Sequence, residues 1–279
     1  MKVGVLGLGV VGLPTAIYAA EKNLQVVCYD INPVAVERAR SEGLEAHLEW
    51  EELGKCDVYI VCVSTLYKEG KPDFSALFDI SKKLKSEEIE HALISIESTV
   101  VPGTCRKIQQ ELRNRELNVI HVPHRYWGKD PVRHGVRQIR VIGAVDEESL
   151  KNGMAFYENT LDIPLHVVPS IEVAEMSKVL ENSYRYLHIA FAEECKMICE
   201  GLNLDFEKVR EACNTKWNTE ILEAREGIGG HCLLKDTHYI TSMSPYAHML
   251  KKAVYVDNKY REWLEKMRFS SNTLINKNK

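Results

Sequence analysis

Three absences narrow this 279-residue chain before any motif is weighed. No run of about 18 consecutive apolar residues occurs, so no helix is expected to span a bilayer. No long basic tract occurs either. With 36 basic against 40 acidic residues the formal charge is −4, and nucleic acid is not an expected partner. No Cys-x-x-Cys pair occurs among the cysteines at 28, 56, 62, 105, 195, 199, 213 and 232, which removes the usual framework for zinc. His188, Cys195 and Cys199 can share one helix face, but they lack a fourth ligand at a recognisable spacing. The expectation is no metal, with packed helix thiols instead. Cysteines so scattered in a chain this long read as reduced thiols, which makes cytoplasm the expected compartment. The opening MKVGVLGLGV sets a lysine before an apolar run, yet its glycine spacing and missing cleavage site argue against a signal peptide. No internal repeat is found.

What is present is an ordinary globular composition, 45% hydrophobic and 27% charged, enough for one large domain or two smaller ones. The strand-like KVGVL runs straight into Gly7-Leu8-Gly9-Val10-Val11-Gly12, and a helical pattern follows with Pro14 in its first turn. The next apolar run, QVVCY, ends in Asp30. A lone G-x-G-x-x-G carries little weight, but strand, glycines, helix and acid together point to a dinucleotide. Gly7 permits the tight turn, Gly9 lets backbone approach a pyrophosphate and Gly12 lets helix and strand pack closely. The phosphates then face helix N-terminal amides, including those of Val10 and Val11. A carboxylate at Asp30 accepts the ribose hydroxyls and repels a 2′-phosphate, so the expected cofactor is NAD rather than NADP.

Further buried-strand candidates are 57–63, 92–96, 118–122 and 139–143, with helical stretches at 33–41, 74–85 and 103–116. Such alternation predicts a Rossmann-type, doubly wound parallel sheet covered on both faces over residues 1–169. Ligands in these sheets sit beyond the carboxyl ends of the strands, which singles out Ser64-Thr65 and Glu97-Ser98-Thr99. Hydroxyl-rich surface turns have the same composition.

From Ile171 to Glu200 there is neither proline nor glycine; Ser170 is placed to cap this stretch and Gly201 to end it. Thirty helical residues span about 45 Å, which suits a helix that crosses a domain or forms a subunit interface. Lys178 and Asn182 share a face of it, where an ammonium and an amide are either solvated or able to hold an oxyanion. A shorter helix is expected after Asp205, and Cys232 then arrives on a glycine loop, EGIGGHCLLKD. The expected second domain, 170–268, is all-α with one long central helix, and the polar tail 269–279 is expected to be disordered. A packing cysteine needs no glycine-rich approach, whereas one that attacks an electrophile needs close backbone and an ionisable neighbourhood.

GLGVVGLPTA (7–16), PDFS (72–75), ESTVVPGT (97–104), AEMSKVLENSYR (174–185) and GIGGHCLLKD (227–236) together resemble the nucleotide-sugar 6-dehydrogenase family, which includes UDP-glucose, GDP-mannose and UDP-N-acetylmannosamine dehydrogenases. The resemblance extends over most of residues 1–240 and implies a Rossmann domain followed by a helical domain built on a dimerising helix. It implies two successive NAD-dependent oxidations that convert a sugar's C6 alcohol to a carboxylate, with Cys232 adding to the aldehyde and a thioester hydrolysed afterwards. By the same resemblance Asp236 is expected to support Cys232 and the water, Lys178 and Asn182 to stabilise oxygen charge, and Thr99 to hold a water near the reacting carbon. Thr65 and Thr99 are expected at the cofactor. The expected substrate is a nucleotide sugar or a smaller sugar derivative, and the expected partner a second copy through the 171–200 helix.

Two departures mark this chain. The family's Pro-Glu is Pro123-His124 here, a second acid found in some members is matched by Gly128, and Ser64 and Leu66 alter a usual proline pattern. His124 is a substitute base, an anion ligand beside Arg125, or the mark of a lost activity. The chain also stops about where a linker to a third, nucleotide-gripping domain lies in the family. That leaves three expectations open: a separate nucleotide-binding subunit, a smaller substrate, or a non-catalytic relative. Two readings stand beside the four-electron enzyme. One is a single alcohol–carbonyl interconversion on a small hydroxy or sugar acid, with Lys178 as proton relay. The other is an NAD-binding sensor without turnover.

Overall fold

The computed structural model describes residues 1–87, 89–112, 117–131 and 133–277, with side chains through Arg268. By contact density the chain divides into two compact units, Met1–Lys68 with Pro72–Lys178, and Glu69–Lys71 with Val179–Lys279.

The first unit is built on β1 (Lys2–Leu6), β2 (Gln25–Tyr29), β3 (Glu45–His47), β4 (Val58–Val61), a small β5 (Leu66–Lys68) and β6 (Lys71–Asp73) pair, β7 (Leu93–Ile96), β8 (Asn118–His121), β9 (Arg140–Ala144) and β10 (Leu165–Val167). Eight of these strands make one sheet in the order β10-β9-β8-β7-β4-β1-β2-β3. Helices α1 (Gly12–Glu21), α2 (Pro33–Ser41), α3 (Ser75–Ser86), α4 (Thr104–Glu111) and α5 (Glu147–Met154) alternate with them. The sheet is two-sided because side chains alternate across it. Val58 and Ile60 of β4 enter one core with α1 and α2, while Tyr59 and Val61 enter the other with α3 and α4. All four residues are buried, as a strand covered on both faces requires. The strand order turns outward in both directions from β1 and β4, and β1 and β4 both pair in parallel, in register Val3 with Val58 and Leu6 with Val61.

Three details differ from the sequence expectation. The sheet is not wholly parallel: β9 runs antiparallel to β8, with Ile120 opposite Ala144. No helix lies between these strands among the described residues, and an antiparallel return needs no helical crossover. The helix expected over 103–116 ends at Glu111, and residues 113–116 lie outside the described ones. The boundary expected between 169 and 170 lies instead within a helix, at Lys178. That helix, α6 (Ile171–Gly201), is 31 residues long, and its first turns pack on the sheet unit. Ile171 joins the α3–α4 core, and Glu175 accepts from Gly103 N and Cys105 N at the start of α4.

The second unit is helical: the rest of α6, α7 (Phe206–Cys213), α8 (Cys232–Met243) and α9 (His248–Lys277). Ser170 Oγ accepts from Val173 N at the head of α6. Asp205 caps α7 by accepting from Glu207 N and Lys208 N. Among the described residues, small cores form around Phe206 and Tyr260 and around Tyr186 and Ile228. Helix α9 runs on to Lys277. No proline or glycine follows Pro245, and each added residue of a nucleated helix gains a hydrogen bond at little cost. Residues 278–279 lie outside the described ones.

Candidate functional site

Of the candidate residues, Asn182, Cys232 and Asp236 lie in the helical unit, and the rest, Lys178 at its very end included, lie in the sheet unit. In the sheet unit, β1 ends in the glycine turn. Gly7 has φ +95°, and a Cβ on Gly12 would stand 1.8 Å from Gly7 O, so only glycine lets α1 start this close to β1. The Leu8 peptide is held at both ends: its N–H donates to Asp30 Oδ2 at 2.6 Å, and its carbonyl accepts from Arg38 Nη2 at 2.8 Å. Asp30 Oδ1 accepts from Asn32 N at 2.8 Å. Each of its oxygens therefore keeps a lone pair for another donor.

Whether this turn suits a dinucleotide can be judged from its own backbone. Gly9 has no atom within 4 Å of where a Cβ would be, and Val10 is 77% exposed. Val11, at the head of α1, makes no side-chain cap, so the first-turn amides retain donors for an anion. An open glycine, uncapped amides and a half-buried carboxylate at the end of β2 fit a pyrophosphate and a ribose diol.

At the carboxyl ends of β4 and β7, Ser98 Oγ donates to Val63 O at 2.7 Å and ties the two strand ends together. Ser64 is exposed, Thr65 is buried and Thr99 half-buried. Glu97 does not line an open turn. It is 2% exposed and pairs with Arg140, which is 1% exposed, at 2.7 Å between Oε1 and Nη1. Tyr157 donates to the same oxygen at 2.6 Å, and His124 Nε2 lies 3.2 Å from Oε2. Burial alone would raise the Glu97 carboxyl, but Arg140 and His124 outweigh it and hold the acid at about 2. His124 itself is 6% exposed. Burial first, then the Arg140 charge, pull it down to about 4, with Lys178 adding to the effect and Glu97 opposing it.

In the helical unit, Cys232 is not on the glycine loop itself but opens α8, and it is exposed. Asp236 sits one turn further on, fully buried. Its Oδ2 accepts from Asn182 Nδ2 at 2.5 Å, and Lys235 Nζ lies 2.8 Å from Oδ1 as a close ion pair. Lys178 and Asn182 are one turn apart on the continuous α6, as their spacing indicated.

Sequence reasoning missed Thr15, Arg140 and Tyr157 around Glu97, and Asp257, Arg261 and Tyr186 around the glycine loop. A signal existed for Arg140. An arginine opening the apolar strand RVIGA needs a buried partner, although nothing in the sequence says which. Asp257 and Arg261 carry the i,i+4 spacing of a helix ion pair.

A glycine turn with an acid on the second strand defines a dinucleotide-binding α/β protein, joined here to a helical unit that presents a cysteine. Residues 1–161 match the NAD binding domain of the UDP-glucose/GDP-mannose dehydrogenase family, and residues 172–258 match its central domain. The chain belongs to that family. It is 30% identical over 277 residues to the UDP-N-acetyl-D-mannosamine dehydrogenase of Methanocaldococcus jannaschii, covering 90% of this chain and 64% of that protein. It is 31% identical to the UDP-N-acetyl-D-glucosamine 6-dehydrogenase of Pseudomonas aeruginosa, covering 86% and 63%. The solved UDP-D-ManNAc dehydrogenase of Pyrococcus horikoshii superposes with a TM-score of 0.88 at 26% identity, over 99% of this chain and 72% of that one. The chain thus spans under two thirds of the length of these two curated relatives.

Proposed function

We propose that the chain carries out an NAD-dependent oxidation of a primary alcohol to a carboxylate, through a thioester on Cys232. The alcohol is the C6 hydroxymethyl group of a nucleotide sugar or a smaller sugar derivative. The observation that carries this reading is the arrangement at the head of α8: an exposed cysteine followed by a buried aspartate that binds the amide of Asn182. A purely structural cysteine has no use for that neighbourhood.

NAD, held by the glycine turn and Asp30, with Thr65 and Thr99 at the strand ends, supplies a hydride acceptor for each oxidation. The chain's own residues do the rest. The Cys232 thiolate adds to the aldehyde carbon, which turns a carbonyl with no hydride-donating alcohol into a thiohemiacetal that has one. After the second oxidation the thioester carbonyl is attacked by water, and the thiolate leaves as the carboxylic acid forms. Asp236 orients that water and, through Asn182, fixes an amide beside the reacting oxygen. Lys178 and Asn182 stabilise the negative charge that develops on oxygen, and Thr99 holds a water.

A second copy of the chain is the proposed partner, and cytoplasm the proposed compartment. Along α6, Val173, Leu180, Tyr184, Phe191 and Ile198 are all exposed and recur at seven- and four-residue steps. That is the spacing of one seam between paired helices.

The test is NADH yield against acid formed, across UDP-, GDP- and dTDP-sugars, sugar phosphates and hydroxy acids. Two NADH per acid, abolished by Cys232→Ser, supports the thioester route and names the substrate class. One NADH per product, surviving Cys232→Ser, assigns a single oxidation with Lys178 as proton relay. NAD binding without turnover on any candidate assigns a sensor, or a subunit that needs a partner chain.

A further inference from the structure

We infer that His124 is a positioning residue: its Nε2 hydrogen-bonds Thr15 and thereby fixes the first turn of α1, where the dinucleotide's pyrophosphate binds. The inference rests on the cofactor reading above, and it gives His124 a task other than that of a base.

The ring is held at both nitrogens. The backbone N–H of Tyr126 donates to His124 Nδ1 at 3.2 Å. Around Nε2 lie Thr15 Oγ1 at 2.9 Å, Arg140 Nη2 at 3.0 Å and Glu97 Oε2 at 3.2 Å. The guanidinium can only donate and the carboxylate only accept, whereas a hydroxyl does both, so the bond between His124 and Thr15 forms whichever of the two supplies the proton. The Thr15 hydroxyl also reaches Val11 O at 3.0 Å. A second proton on the ring would add a cation beside Arg140 in a buried site.

His124 ends a chain of contacts that begins in the sheet. Ser95 Oγ lies 2.7 Å from the Tyr157 hydroxyl, Tyr157 bonds Glu97, and Arg140 spans Glu97 and Val136 O. From this frame His124 reaches Thr15, and Thr15 holds Val11 O both through its hydroxyl and through its amide, at 3.2 Å. Val11 is the residue at the head of α1, and it has no side-chain cap of its own. Thr15 and His124 thus supply from the core the restraint that an N-cap side chain supplies elsewhere. The amides of that turn are held in place before any ligand arrives.

The test uses the full chain and NAD alone, with the dissociation constant read by calorimetry. His124→Ala is expected to weaken NAD by about tenfold, and His124→Gln, whose amide can replace the ring's bond to Thr15, to stay within about threefold of wild type. Thr15→Val cuts the same link with little change of shape, and Thr15→Ser keeps it. Thr15→Val is expected to match His124→Ala, Thr15→Ser to match wild type, and the Thr15→Val/His124→Ala pair to be no weaker than either single variant. Under turnover the loss should fall on KM for NAD, with kcat kept in His124→Gln. Wild-type affinity in Thr15→Val, or a Gln variant as weak as the Ala one, overturns the inference while leaving the cofactor reading intact. If His124→Ala does not fold, the Thr15 pair decides alone. A kcat lost in His124→Gln with NAD affinity unchanged assigns a base instead. A wild-type chain that takes up no NAD removes the cofactor reading, and this inference with it.

Discussion

Asp257 and Arg261, one turn apart on α9, grip the Ile228 peptide from both ends. Asp257 Oδ1 accepts from Ile228 N at 2.8 Å, and Arg261 Nη2 donates to Ile228 O at 2.6 Å. Arg261 Nε bonds the same aspartate, and Tyr186 donates to its other oxygen at 3.1 Å. This clamp holds the glycine stretch that leads into Cys232. It also explains Gly227, which has φ +89° and whose Cβ would stand 2.9 Å from Arg261 Cζ. Asp257→Ala leaves a buried amide, a buried hydroxyl and a guanidinium without their acceptor. The unfolding free energy should fall by about 3 kcal/mol. Alkylation of Cys232 by iodoacetamide, followed by mass spectrometry, should also change rate relative to the other thiols. Unchanged stability and an unchanged Cys232 rate would mean that the clamp does not restrain the loop.

Gly9 and Gly12 should separate ligand binding from folding. A methyl at Gly9 meets no protein atom within 4 Å, so Gly9→Ala should unfold at the wild-type temperature. It should bind NAD at least about tenfold more weakly, because the methyl enters the space for phosphate. A methyl at Gly12 collides with Gly7 O and approaches Cys62 Cβ to 3.1 Å, so Gly12→Ala should cost about 3 kcal/mol of stability as well. Thermal melts and NAD titrations of the two variants check this. Equal melting temperatures for both would contradict the geometry of the turn.

Acid should weaken the sheet unit through two histidines. His121 and His124 are buried, and burial draws each down to about 4 from an ordinary 6.5. Glu97 partly opposes this at both rings, while Arg140 and Lys178 add to it at His124. Between these values the unfolded chain binds protons that the native one does not, so stability present above pH 6.5 is lost as the pH falls towards 4. The loss from pH 7 to pH 5 is about 2 kcal/mol per histidine. His121 is fully buried, with the Ile96 backbone and Glu97 only partly opposing the effect of burial, so His121→Leu should leave a visibly shallower acid limb in urea unfolding. A wild-type free energy that is flat between pH 7 and 5 would refute the assignment.

The sheet and the glycine turn were legible because each is set by local sequence. A strand buried on both faces must be an apolar run, and a turn with 1.8 Å of clearance for a Cβ must be glycine. The buried frame around Glu97 was not legible. Its members come from α1, β7, β9, the segment after β8 and the π-helical turn 155–160, and Glu97 and Arg140 are separated by 43 positions. In sequence Glu97 stood in a hydroxyl-rich turn and His124 stood where the family has an acid. Only the fold shows the first paired with Arg140 and the second bonded to Thr15. The sequence points to a loop at Cys232 because α8 begins without a capping side chain, His231 making none, so the usual start signal is missing.

Glu193, on α6 in the helical unit, is fully buried, and neither of its oxygens has a hydrogen-bond partner among the described residues. Burial first, and then the Asp257 charge, push its carboxyl up to about 8, against the pull of Arg261. An acid raised in the native state contributes stability that is complete below its unfolded value near 4.5 and is lost as pH rises towards 8. At neutral pH the unfolded chain ionises Glu193 freely, whereas the folded chain must keep the proton. Glu193→Gln keeps the shape and removes the proton requirement. Its stability should match wild type near pH 4.5 and exceed it progressively above, by a few kcal/mol at pH 8. Arg261 limits the gain, since it would favour the ionised acid. Urea unfolding of the two proteins at pH 5 and pH 8 reads the difference directly. A Gln variant that gains nothing at pH 8 would mean that the native protein ionises Glu193 at no cost, with a partner for the carboxylate other than the groups that face it here.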